Sequence, residues 1–145
     1  MRLWHYKMIP VLPVKHLCSQ FRECSAVASM INNNKVNHII INRVKDYPIE
    51  HFYLYCRLVI NEMFRRNYKM SPIVLEKLGY NLSIDYTVCE ENDILYNGSP
   101  IFKNWHNDRY LKQCLYNFQE KYDCGGLTNE QWSKIYNKFK NKINF

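Results

Sequence analysis

One amine and four side chains near the start of this chain have the types and spacing to carry covalent chemistry. The chain opens MRLWHYKMIPVLPVKHLCSQFREC. Met1 supplies an α-amine, Arg2 a cation beside it, His16 an imidazole, and Arg22-Glu23 a guanidinium next to a carboxylate. An α-amine titrates at about 7.7–8.0, against about 10.4 for a lysine. Near neutral pH part of it is uncharged and able to attack an electrophilic carbon, forming an imine. A carboxylate within hydrogen-bond reach can move the protons such a reaction needs. Cys24 is a weaker nucleophile candidate, because it lies toward an apolar stripe with no helix N-terminus to lower its pKa.

These groups need a rigid element to hold them, and the pattern supplies one. Val14, Leu17, Cys18, Phe21, Cys24, Ala28 and Ile31 recur at helical spacing, which predicts an amphipathic helix over 13–31 with Pro13 in its first turn. His16, Gln20 and Glu23 fall on the opposite face, which is expected to point away from the core. Lys15, Ser19 and Arg22 form the adjoining stripe.

A second helix is predicted over 48–66, with Phe52, Tyr55, Cys56, Val59 and Met63 buried and Arg65-Arg66 at its C-terminus, where cations suit the helix dipole. A short helix runs from Ser71-Pro72 to Leu78 and stops at Gly79. Residues 80–104 lack a period and read as a long, partly irregular connection. It holds the acidic run Glu90-Glu91-Asn92-Asp93, read as a solvated loop, and the turn Asn97-Gly98-Ser99-Pro100. A third long helix begins at Asn107-Asp108 and breaks at Gly125-Gly126. Thr128 to Gln131 has the form of a capping box opening a last helix, with Trp132, Ile135, Tyr136 and Phe139 as its apolar stripe. Ile39-Ile40-Ile41 reads as a short extended segment. The expected fold is all-α, with three long helices, shorter ones and a single compact domain spanning 1–145.

Composition narrows the class. The chain has 145 residues, 47% of them hydrophobic and 15% aromatic, too apolar for a disordered segment. Net charge is +7, unevenly placed. Residues 1–69 carry eleven Lys/Arg against four Asp/Glu, residues 70–102 one against five, and residues 103–145 eight against four. Two basic ends suit a polyanionic partner, although a solvated basic surface gives the same count. Six cysteines without a CxxC pair read as free thiols in a reducing compartment. MRLWHYKMIP lacks the apolar stretch of a signal peptide, and no run reaches transmembrane length, so a cytoplasmic chain off the membrane is expected. No phosphate-cradling glycine loop, HExxH or GxSxG is present, and neither a metal nor a cofactor is expected.

Several blocks together resemble the pyrimidine-dimer DNA glycosylase family of the phage endonuclease V type, in its bacterial branch. They are M-R-L-W-H at 1–5, L-P at 12–13, H-L at 16–17 and R-E-C at 22–24, then E-M-F-R-R-N-Y at 62–68. His106, Lys121 and the Trp132-x-Lys134-x-Tyr136-x-Lys138 segment resemble the family's aromatic-basic C-terminal part more loosely. The resemblance implies a DNA repair glycosylase with abasic-site lyase activity on damaged duplex DNA. In this family the N-terminal amine attacks C1′ of the damaged nucleotide's sugar, and a glutamate on the first helix assists. Carried onto this chain, the catalytic groups are the Met1 amine and Glu23. Arg2, His16, Arg22, Lys121, Lys134 and Lys138 become DNA contacts, no metal is used, and a monomer is expected. Arg2 is bulky enough that Met1 is expected to remain in place. A non-catalytic nucleic-acid-binding module on the same scaffold is the alternative.

Overall fold

The computed structural model describes residues 1–33, 38–79, 87–88 and 93–142. Cys89 and residues 90–92 of the acidic run lie outside them. Residues 1–5, which form no regular element, lead into a 3₁₀ turn over Tyr6–Val11. Six α-helices follow: α1 Val14–Asn32, α2 Ile39–Lys45, α3 Ile49–Arg65, α4 Pro72–Lys77, α5 Asp108–Asp123 and α6 Asn129–Phe139. The predominantly helical expectation holds, with Pro13 and Pro48 standing as N-caps just outside α1 and α3.

Two local expectations are corrected. Ile39-Ile40-Ile41 opens α2 rather than an extended segment. The His38 imidazole accepts the Ile40 N–H and caps the helix, and Ile41 and Val44, three apart, turn into the core while Ile39 faces solvent. The described part of the 80–104 connection carries a small antiparallel sheet, β1 Thr87–Val88, β2 Ile94–Tyr96 and β3 Ser99–Pro100, in the order β1-β2-β3. Asn97 (φ 50°) and Gly98 (φ 79°) form its two-residue turn, because a hairpin of this twist needs positive φ at both central positions.

One hydrophobic cluster draws residues from the N-terminal segment, the 3₁₀ turn and helices α1, α2, α3, α5 and α6, and includes Phe52, Tyr55, Val59 and Met63 of α3 and Leu17, Phe21 and Cys24 of α1, two helices in contact. Helix ends are set locally. Gly125 (φ 80°) closes α5 as a Schellman motif, with Gly126 N–H donating to the Lys121 carbonyl at 2.7 Å and Gly125 N–H to that of Tyr122 at 3.0 Å. At α6 the Thr128 hydroxyl accepts the Gln131 N–H at 3.1 Å, and the Gln131 side chain accepts the Thr128 N–H at 2.9 Å. Thr128→Ala is expected to cost about 1 kcal/mol of stability, read as a lower urea midpoint with an unchanged m-value.

Arg65 and Arg66 do more than neutralise a helix dipole. Both guanidiniums pair with Glu62, itself buried, and Arg66 Nε stands 2.8 Å from Glu62 Oε2. Arg66 also donates to the carbonyls of Leu12, at 2.8 Å, and Pro10, at 3.2 Å. The C-terminus of α3 thereby anchors the loop that delivers the chain into α1.

Candidate active site

Residues 2–5 belong to no helix and take no place in the sheet. Buried backbone groups without partners are costly, and here side chains from the helices supply the partners. Glu23 Oε2 accepts the Arg2 N–H at 3.3 Å. Gln20 donates to the Arg2 carbonyl at 3.0 Å and accepts the Trp4 N–H at 2.9 Å. The Tyr110 hydroxyl donates to the Leu3 carbonyl at 2.7 Å, and the Tyr55 hydroxyl to the Trp4 carbonyl at 2.6 Å. His106 Nδ1 accepts the Tyr6 N–H at 3.1 Å. The start of the chain is thus seated between α1, α3 and α5.

This corrects the reading of the α1 surface. The His16, Gln20 and Glu23 face does not simply point to solvent. Gln20 is 0% exposed, because the N-terminal segment lies over it. His16 is half-buried, its ring 5.0 Å from that of Phe118 and 6.2 Å from that of Trp4. Burial, then the nearby Lys121 and Lys15 cations, lower the His16 pKa. Glu23 keeps partial exposure.

The amine and the carboxylate come close. The Met1 nitrogen lies within about 3.7 Å of the Arg2 nitrogen by covalent geometry, hence within about 7 Å of Glu23 Oε2. Rotation about the Met1 backbone closes that distance, and one bridging water suffices where it is about 5.6 Å or less. Glu23 Oε2 holds both the Arg2 amide and the Gln20 amide, at 3.3 Å each, and Oε1 has no protein partner among the described residues. Met1 itself is half exposed, open to a large substrate.

The other anticipated residues divide into two groups. Arg2 is half-buried, with its guanidinium 4.8 Å from the Trp4 ring. Arg22 is exposed beside Glu23 and donates to Ser19 Oγ at 3.0 Å. Lys121 on α5 is near enough to His16 to act on its charge. Lys121 thus reaches His16, whose ring adjoins Trp4, which Arg2 covers, and the Arg2 amide meets Glu23. Lys134 and Lys138 of α6 sit elsewhere. Lys134 lines a concavity of about 760 Å³ with Pro13, Arg65, Arg66 and Tyr68. Lys138 donates to the Lys7 carbonyl at 2.8 Å at the edge of a second one, about 430 Å³, shared with Tyr6 and Glu62. Burial, above all, lowers its pKa. Neither concavity touches residues 1–5.

Two buried imidazoles support the same segment. His5 Nδ1 accepts the Lys7 N–H at 3.1 Å, so its proton sits on Nε2 and is donated to the His106 carbonyl at 2.9 Å. Burial first, then Lys7, pull the His5 pKa down to about 4. His106 is lowered by burial, then by His5 and Arg43, and its Nε2 has no partner among the described residues. Sequence reasoning gave no role to His5, Gln20, Tyr55 or Tyr110. The available signal was a tyrosine in the apolar stripe of the second helix, Tyr55, and of the third, Tyr110, since a buried hydroxyl must find a partner. Among the described residues, no three His, Cys, Asp or Glu side chains come together as metal ligands. No described helix is long and apolar enough to cross a membrane.

The fold and site together define a helical protein whose first residues are clasped against a helix-borne carboxylate. The family model described as pyrimidine dimer DNA glycosylase matches residues 1–75, just over half of the 145. This chain belongs to that family. Comparison with the curated proteins and with the solved structures finds no match.

Proposed function

We propose that this protein is a DNA repair glycosylase with abasic-site lyase activity on damaged duplex DNA, with pyrimidine dimers as its substrate class. The observation that carries the reading is the Arg2 amide bonded to the Glu23 carboxylate at 3.3 Å, which keeps the adjoining Met1 amine beside a proton carrier. The uncharged amine attacks C1′ of the damaged nucleotide. The C1′–N bond breaks, and the base leaves with the bonding pair and takes up a proton. The sugar ring opens at C1′–O4′, with O4′ taking the proton that Glu23 had drawn from the ammonium form of the amine, to leave an iminium on Met1 beside the restored carboxylate. The Glu23 carboxylate removes a proton from C2′, the C3′–O bond breaks, and the 3′ phosphate leaves. Water then hydrolyses the imine and restores the amine.

Arg22, Lys121 and His16 flank this point and contact the backbone phosphates, with Arg2 at the sugar. Lys134 extends the footprint from α6. Lys138, with its ammonium bound to the Lys7 carbonyl, contributes field more than contact. A net charge of +7 favours a polyanion and makes affinity fall with salt. The protein acts as a cofactor-free monomer in the cytoplasm.

Borohydride trapping on an abasic-site duplex tests the reaction. The expected result is one covalent adduct per chain, mapping to Met1 by peptide mass, and lost when one residue is added before Met1. A chain that binds the duplex but gives no adduct is instead the nucleic-acid-binding module on the same scaffold.

A further inference from the structure

We infer that Gln20 is the positioning residue that sets the Met1 amine against the Glu23 carboxylate, by gripping the backbone of residues 2–4 and the carboxylate through one buried amide. This inference rests on the amine-and-glutamate reading above.

Gln20 is fully buried in the middle of α1, one helical turn before Glu23. A buried amide is costly unless its polar atoms are satisfied. Here both ends are. Nε2 donates to the Arg2 carbonyl at 3.0 Å and to Glu23 Oε2 at 3.3 Å. Oε1 accepts the Trp4 N–H at 2.9 Å and lies 3.2 Å from the Tyr55 hydroxyl. The orientation of the amide is determined by its partners. The Trp4 N–H can only donate and the Arg2 carbonyl can only accept, so oxygen faces Trp4 and nitrogen faces Arg2. One side chain therefore bonds the residue after the nucleophile on its carbonyl side and the proton carrier on its carboxylate. Glu23 closes the loop through the Arg2 N–H. A chain terminus ordinarily frays, and among the described residues no strand neighbours residues 2–4 to prevent it. Gln20 supplies two of the bonds a strand would have given.

Displacing a reacting group by about 1 Å can cost about 10²-fold in rate. Gln20→Met fills nearly the same volume but can neither donate to Arg2 and Glu23 nor accept well from Trp4. Gln20→Ala is the second variant. Val59→Ala, a core truncation on α3 outside the site, is the control for general destabilisation. Each is measured in two ways: amide hydrogen exchange at Arg2, Leu3 and Trp4, and single-turnover borohydride trapping on the abasic duplex beside its dissociation constant.

For both Gln20 variants the expected outcome is exchange at residues 2–4 at least about tenfold faster, trapping slowed about 10²-fold and duplex affinity within about threefold of wild type. Val59→Ala should leave trapping unchanged at equal loss of melting temperature. The Glu23→Gln background separates positioning from stability. There, Gln20→Met should cost much less than 10²-fold in trapping, because the partner it aligns is already lost. Unchanged exchange at residues 2–4 overturns the inference, as does unchanged trapping in a wild type that traps well. If wild type gives no adduct, the proposed reaction fails and Gln20 loses its catalytic purpose, while the exchange rates still decide whether it holds the terminus.

Discussion

Replacing Glu23 with Gln is expected to cut strand cleavage at an abasic site by about 10²–10⁴-fold, with duplex affinity within about threefold of wild type. The substitution preserves shape. A glutamine at 23 still offers a carbonyl oxygen to the Arg2 N–H and to the Gln20 amide, the two bonds that Glu23 Oε2 accepts. It has no basic oxygen to take the C2′ proton and no charge to stabilise an iminium. Removal of an anion beside phosphates does not weaken DNA binding through electrostatics, since it lowers repulsion. Cleavage and binding should therefore part company. Single-turnover cleavage measured beside the dissociation constant at fixed salt makes the comparison, and trapping of the same reactions locates the block. Trapping that survives with cleavage lost assigns Glu23 to the elimination; loss of both assigns it to imine formation as well. Cleavage within about threefold of wild type would remove Glu23 from the mechanism.

The helices were readable because they bury stripes. Leu17, Phe21, Cys24 and Ala28, and again Phe52, Tyr55, Cys56, Val59 and Met63, repeat at helical spacing and pack against one another as expected. Helix ends were readable where their chemistry is local, as at the Thr128 to Gln131 box and at Gly125. Ile39-Ile40-Ile41 misled because three β-branched residues outweigh a histidine cap that becomes visible only when its ring accepts the Ile40 N–H. The candidate site was half readable. Glu23 and Arg22 stand out on the helix, but periodicity places Gln20 on a solvent face, since an isolated helix does not reveal what will lie over it. The N-terminal segment does so here, through hydrogen bonds between residues 16 to 107 positions apart. No local pattern encodes such pairings. The match of residues 62–68 to the family likewise reads as a helix end, whereas Glu62 and Arg66 act at a distance by holding the loop at Pro10 and Leu12.

Acid should release the N-terminal segment before it unfolds most of the core. His5 titrates at about 4 in the folded chain, against 6.5 for an ordinary histidine. Between those values the unfolded chain binds a proton that the folded chain refuses, so stability rises with pH across the window. The contribution of neutral His5 is complete above pH 6.5 and is lost as pH falls toward 4. The difference corresponds to on the order of 3 kcal/mol, a large share of a small domain's stability. His106, also lowered by burial, acts in the same direction. Protonation is resisted for a structural reason. The Nδ1 of each ring accepts a backbone N–H, from Lys7 for His5 and from Tyr6 for His106, and a second proton would remove that acceptor. Both bonds lie on the segment that carries the Met1 amine, so acid should weaken the site as well as the fold. Urea melts from pH 7.5 to 4.5 on wild type and His5→Gln provide the check. Wild type should lose stability steeply below pH 6.5. His5→Gln, less stable at pH 7.5, should show a flatter dependence, so that the two curves converge toward pH 4.5. Parallel curves over the whole range would show that His5 is not the group that titrates.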